Sequence, residues 1–209
     1  MFSNQTLKRL IIPLIIEQLL VVTVGFADTI MVSSVGEAAV SAVSLVDGIN
    51  ILLINIFAAL GTVGAVVAAQ FIGQGSQDKA KYSAKQLILI TGLLSLVIMI
   101  VVVSFNGALL HMIFGHVDEA VMKNAEIYFL FSALSYPFIA LYNAGAALFR
   151  AIGNSKISMI NSAIMNAINI VLNAIFIFGF KWGVFGAVFA TLIARAVACC
   201  VILYVLGHS

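Results

Sequence analysis

The chain has 209 residues, of which 63% are hydrophobic and only 9% charged. A soluble domain carries about 25% charged residues, so this composition excludes a water-soluble enzyme or binding module and specifies an integral membrane protein. The formal net charge of +2 is too small to argue for a nucleic-acid partner, and its distribution along the chain says more than its size.

Six apolar runs, separated by short polar or glycine-bearing breaks, predict transmembrane helices over residues 10–32, 49–72, 87–105, 127–149, 157–178 and 184–206. Each is close to the ~20 residues that cross a ~30 Å hydrocarbon layer at ~1.5 Å per residue. None alternates apolar with polar residues, as barrel strands would. The expected fold class is an all-α integral membrane protein, a six-transmembrane-helix bundle in which residues 1–209 form a single lobe.

The first span opens with Lys8-Arg9 and an apolar run, like a secretory leader. The run is too long for a leader's hydrophobic region and it holds Glu17 and Asp28, so it is expected to be a retained anchor. A carboxyl group in this layer costs on the order of 3 kcal/mol even on mild insertion scales, and it persists only where protein or water surrounds it. Eleven residues at ~100° each is close to three turns, so both acids share one helix face. Glu17 is placed either to reach Lys8 or Arg9 at the interface or to take part in function. Asp28 has no basic neighbour in sequence and is a candidate for ion or proton handling, with a buried hydrogen-bonding anchor as the alternative. Pro13, four residues before Glu17, removes a backbone donor and predicts a kink near the cytoplasmic end.

The connections carry the orientation. Lys8, Arg9, Lys79, Lys81, Lys85, Arg150 and Lys156 fall on one side, and Lys123 and Lys181 on the other, which places both termini in the cytoplasm. Gly73-Gln74-Gly75 and Gly153-Asn154 follow the second and fourth spans, where glycine can take the left-handed conformation that ends a helix. The longest connection, 106–124, holds Leu109, Leu110, Met112, Ile113 and Phe114, a cluster suited to an interfacial helix outside the membrane. His111 and His116 are expected in that loop, and with His208 they show no ligand spacing.

In the fifth span Ser158, Ser162, Asn166, Asn169 and Asn173 recur at intervals of 4, 4, 3 and 4, a single face. Amides in hydrocarbon must find partners. The stripe serves either as interhelical glue or as the wall of an aqueous cavity or sodium site, since amide oxygens and carboxylates are hard ligands. In the sixth span Thr191 and Arg195 face one way. Arg195 either pairs with an acid or helix-end carbonyls, or it contacts an anionic group or a nearby carboxylate. Lys181 and Trp182 have the character of an interfacial anchor, and Cys199 and Cys200 are expected to be buried structural thiols. No Gly-x-Ser-x-Gly or His-Glu-x-x-His motif is present, and Asp28 is expected to stand alone at its depth. Neither an enzyme nor a cofactor is expected, and no metal beyond sodium at Asp28.

The opening helix with Pro13 and Ala27-Asp28-Thr29-Ile30-Met31-Val32, the turns Ala69-Gln70-Phe71-Ile72-Gly73 and Phe149-Arg150-Ala151-Ile152-Gly153-Asn154, and Asn169-Ile170-Val171-Leu172-Asn173 before Ile177-Phe178-Gly179 together resemble the amino-terminal half of the multidrug and toxic compound extrusion (MATE) transporters. The resemblance runs through essentially the whole chain. It implies one lobe of a twelve-helix antiporter that exchanges sodium ions or protons for cationic or amphipathic organic compounds by alternating access. It also implies that Asp28, Asn169, Asn173 and Thr191 form a cation- or proton-binding site and that Pro13 provides the kink used in switching. Glu17, Asn166 and Arg195 are accessory candidates. Some prokaryotic branches have aspartate where this chain has Asn173, which makes Asp28 the clearest acid of that cavity. The family has about twice this length, so the expectation is a fragment of a longer protein lacking its second six-helix lobe, a lobe that pairs with a second copy, or a chain that does not transport. The alternatives are a flippase or exporter of lipid-linked precursors on a related fold, and a non-transporting membrane subunit or remnant.

Overall fold

The computed structural model describes the backbone of residues 4–208 and the side chains of residues 11–208. Lys8 and Arg9, on which part of the orientation count and one expected partner of Glu17 rest, have side chains outside the described residues. Within them the chain is helical, with no strand: α1 (Asn4–Ser33), α2 (Glu37–Gly73), α3 (Gln77–Phe114), α4 (Glu119–Leu134), α5 (Tyr136–Ala151), α6 (Ser155–Ala174) with a π-helical turn (Ile175–Gly179), and α7 (Gly183–Gly207). Five single helices are long and apolar enough to cross a membrane, and α4 with α5 supplies a sixth span bent by 46°.

Three departures from the expected spans have local causes. The run predicted at 127–149 breaks at Ser135 because Pro137 lies in the first turn of α5, where it has no N–H to give and crowds the carbonyl four residues back. The apolar cluster 109–114 is not a separate interfacial helix. It prolongs α3 beyond one non-helical residue, Phe105 (φ −117°, ψ 20°), and it stays because Leu110 is fully buried and the Asn106 amide donates to the Glu126 carbonyl at 2.8 Å. His111 is therefore helical. The third departure matters most: α2 begins at Glu37, twelve residues before the predicted start, and the added turns are held by Ala39, Ala42, Val46 and Asn50, buried at intervals of 3, 4 and 4.

α1 is helical without interruption through Pro13. The turns behave as their glycines suggest, with Gly75 and Gly153 at φ 72° and 83°. Of the two cysteines only Cys199 is buried; Cys200, ~100° further round the helix, is exposed.

The core lies among α2, α4, α5 and α7, where Phe57, Phe129, Tyr136, Phe149 and Ile202 are almost wholly buried. Lipid tails are as apolar as leucine, so helices in a membrane gain by close packing rather than by escape from water. Small residues mark the closest approaches. Ala65, Ala68, Ala144 and Ala147 line one such seam, and at Gly61 a β-carbon would stand 3.1 Å from the Ala144 Cα and 3.2 Å from the Asn143 carbonyl oxygen. α1 is the exception to close packing: 6% of its apolar stretch is buried, against 22–33% for the other single spans.

Gly61→Leu must push α2 away from the α5 backbone and is expected to destabilise the bundle by about 1–3 kcal/mol. Gly48→Leu, on the exposed side of α2 with nothing within 4 Å of its added β-carbon, should leave the thermal unfolding midpoint in detergent unchanged; equal shifts for the two variants would contradict this packing.

Candidate functional site

Two polar networks meet near the end of the bundle opposite the basic turns. The first is built on α6. Asn173 donates its amide to Asp28 Oδ1 on α1 at 2.6 Å and to Asn169 Oδ1 at 3.2 Å, while the Asn169 amide donates to Thr191 Oγ1 on α7 at 3.0 Å. The Thr191 hydroxyl in turn donates to the Ala187 carbonyl. Donation thus runs two ways from the Asn173 amide, to the Asp28 carboxylate on one side and through Asn169 and Thr191 to the Ala187 carbonyl on the other.

The second network is built on α2. Asn50 and the Tyr128 hydroxyl of α4 both donate to Asp47 Oδ1, at 3.3 and 3.2 Å. The Asn50 amide also reaches Ser132 Oγ, and Tyr136 donates to Asn50 Oδ1 at 2.8 Å. Between the networks lies a cavity of about 70 Å³ whose walls include Asp28, Thr29, Asp47, Tyr128, Asn173 and Thr191. In both acids it is Oδ1 that accepts these bonds; Oδ2 of each has no hydrogen bond among the described residues.

Asp28, Asn173 and Thr191 therefore share one cavity, with Asn169 bonded directly behind two of them. Asp28 does not stand alone at its depth, because the longer α2 brings Asp47 to the opposite wall. Asp47 escaped notice since Asp47-Gly48 has the composition of a turn and falls just before the apolar run. The signal that could have found it was the spacing of Ala39, Ala42, Val46 and Asn50, which extends helix across it.

The remaining candidates lie apart. Asn166 is buried with its amide nitrogen unpartnered and is not on the cavity wall. Arg195 bonds Ser135 Oγ at 2.7 Å, in the break between α4 and α5. Glu17, about 16 Å from Asp28 along α1, receives Ser158 Oγ at 2.8 Å and Arg150 Nη1 at 3.3 Å, and Arg150 also donates to Ser158 at 2.9 Å. Among the described residues the charged partner of Glu17 is thus the arginine at the end of α5. Glu17 and Asp28 form two polar ties that hold the thinly packed α1, the first to α5 and α6 and the second to α6. Among the described residues no group of three or more His, Cys, Asp or Glu forms a metal cluster.

The MatE family model matches residues 13–175. The chain is similar to the uncharacterized transporter YisQ of Bacillus subtilis, with 32% identity over 190 residues, 88% of this chain and 41% of YisQ. It is also similar to the multidrug export protein MepA of Staphylococcus saprophyticus, with 27% identity over 90% of this chain and 41% of MepA. A solved structure described as the outward-facing conformation of a multidrug resistance MATE family transporter superposes with a TM-score of 0.90 at 26% identity, covering 96% of this chain and 44% of that one. The chain spans less than half the length of the curated relatives it matches.

Removing one member of a partly buried, charge-assisted contact leaves the other short of partners. Glu17→Ala is expected to lower stability by about 2 kcal/mol. Glu17→Ala combined with Arg150→Ala should cost clearly less than the sum of the single variants in a double-mutant cycle read from unfolding midpoints; strict additivity would mean that the pair is not coupled.

Proposed function

The chain belongs to the MatE family of transporters, and from that premise we propose that it is one six-helix lobe of a cation-coupled antiporter that exports cationic or amphipathic organic compounds in exchange for sodium ions or protons. On this proposal the protein resides in the cytoplasmic membrane with both termini inside, and its role is transport rather than catalysis.

The observation that carries the proposal is the cavity at Asp28. It is polar, it holds a carboxylate supported by Asn173, Asn169 and Thr191, and at about 70 Å³ it admits a cation with a few waters. A drug-sized molecule needs roughly 300–1,000 Å³. The organic substrate would therefore sit against this lobe and an opposite wall, supplied by a second six-helix block of the same polypeptide or by a second copy of the chain.

Coupling follows from the way α1 is held. Apart from Met31 and Val32 near its end little of α1 is buried, so its two polar ties weigh heavily in its placement, and a cation or proton arriving at Asp28 weakens the hold of its carboxylate on the Asn173 amide. Occupied and empty sites then favour different packings of α1, with Pro13 as the point where the backbone yields, and a ligand shifts such an equilibrium only by its differential affinity for the two packings.

Asp28→Asn keeps an acceptor for Asn173 and removes the charge. In the full-length polypeptide it is expected to abolish cation-driven efflux of a fluorescent cationic dye from proteoliposomes, while the protein remains monodisperse with a near-normal unfolding midpoint. Dye efflux at the wild-type rate would exclude Asp28 as the coupling residue.

A further inference from the structure

Asp47 enters a part of the membrane where carboxylates persist only with a purpose or a partner. A structural acid at this depth is normally closed off by the nearest cation. Arg195 is the available cation, half-buried and within electrostatic reach of both Asp47 and Asp28. Yet it spends its Nη1 on Ser135, and among the described residues no carboxylate lies within 4.0 Å of it. Both aspartates keep one oxygen free of hydrogen bonds, and both face the same small cavity.

A second observation points to a ligand. Asn173, 1% exposed and on the wall of that cavity, has its Oδ1 without any hydrogen-bond partner. A buried amide oxygen left unsatisfied is costly, and a hard cation is the partner that an amide oxygen and two carboxylates would share. The charged and titratable groups that reach this space are Asp28 on α1, Asp47 on α2, Tyr128 on α4, Tyr136 on α5 and Arg195 on α7. α6 brings only the amides of Asn169 and Asn173.

Resting on the cation-coupled function proposed above, we propose that Asp47 is the second ligating carboxylate of a two-acid monovalent-cation site, and that Arg195 is its resident countercharge, limiting the site to one cation. The charge count is direct. Two carboxylates and one guanidinium leave −1, which one sodium ion or one proton brings to zero; a second cation would leave the cavity at +1 in a medium that penalises net charge. On this account the second acid comes from α2, and the cation is bound between α1, α2 and α6.

The test measures cation binding by the purified full-length polypeptide, with radioactive sodium in one arm and proton uptake in sodium-free buffer in the other. Asp47→Asn keeps acceptors for Asn50 and Tyr128 but loses the charge, and it is expected to weaken binding at least about tenfold in the arm where the wild type responds, as Asp28→Asn does. Arg195→Gln leaves −2 and is expected to raise affinity at least about tenfold or add one bound cation. Wild-type affinity in a folded Asp47→Asn protein, with binding lost in Asp28→Asn, would overturn the role of Asp47 and leave the coupling role of Asp28 standing. Unchanged affinity and capacity in Arg195→Gln would overturn the countercharge, and this arm decides the question of charge if Asp47→Asn does not fold. Absence of any cation response in the wild type would overturn both this inference and the function on which it rests.

Discussion

A carboxylate in a hydrocarbon layer must be met by donors, and the placement of α1 depends on that requirement. Apolar contact does little to fix a helix among lipid tails of the same polarity, and α1 has less of its surface buried than any other single span. Its orientation is set by Glu17 against Arg150 and Ser158 at one level and by Asp28 against Asn173 at another, beside the small apolar cluster that Met31 and Val32 form with Ile177, Val184 and Ala187. Because the two acids stand about three turns apart on one face, a single rotation of α1 satisfies both. The same rotation turns Phe26 and Ile30 outward, where each is about two-thirds exposed. A helix held by two polar ties and little packing is easily biased by whatever competes for one of them.

The rest of the bundle is built the opposite way. α2, α4, α5 and α7 approach closely over alanines and glycines, and polar side chains tie them to one another and to α6: Asn50 to Ser132 and Tyr136, and Asn161 of α6 to the Ala198 carbonyl of α7. The break at Ser135 belongs to this rigid part. Pro137 makes the bend, and Arg195 then fills it by donating to Ser135 Oγ, so that a guanidinium is lodged inside the bundle with no contact ion pair among the described residues. The firm half of the structure thereby carries one acid, Asp47, and the basic group, while the loosely held helix carries the other acid.

Much of this was legible in the sequence because helix periodicity acts over short range. The shared face of Glu17 and Asp28 is inward, and the fifth-span stripe from Ser158 to Asn173 is buried and turned toward partners, since a 100° step per residue holds whatever the helix packs against. What was not legible depends on contacts distant in the chain. The pairing of Glu17 with Arg150 joins residues 133 positions apart. The start of α2 was hidden because residues 36–48 are less apolar than a lipid-facing run needs to be; they are held by burial against other helices, which overrides the turn-like Asp47-Gly48 pair. The continuation of α3 past Phe105 depends likewise on Asn106 meeting α4. In each case a local composition rule lost to a tertiary hydrogen bond or buried side chain.

Size then constrains how cation and organic substrate could influence each other in the transporter proposed here. A cavity of about 70 Å³ between α1, α2, α4, α6 and α7 has no room for both, so direct displacement of a drug by a cation within that cavity is excluded by volume. The influence must be carried by a wall that moves. Of the walls, α2, α4 and α7 are locked by the tightly packed core and α6 by its amide chain to Thr191, which leaves α1. On this proposal its Asp28 is the group at which an arriving charge alters a tie, and its outward residues are the surface presented to lipid, to a second lobe or to a substrate between them. Coupling in such an arrangement is exerted through the position of one thinly packed helix, and its strength is bounded by the difference in free energy between the two ways of satisfying Asp28.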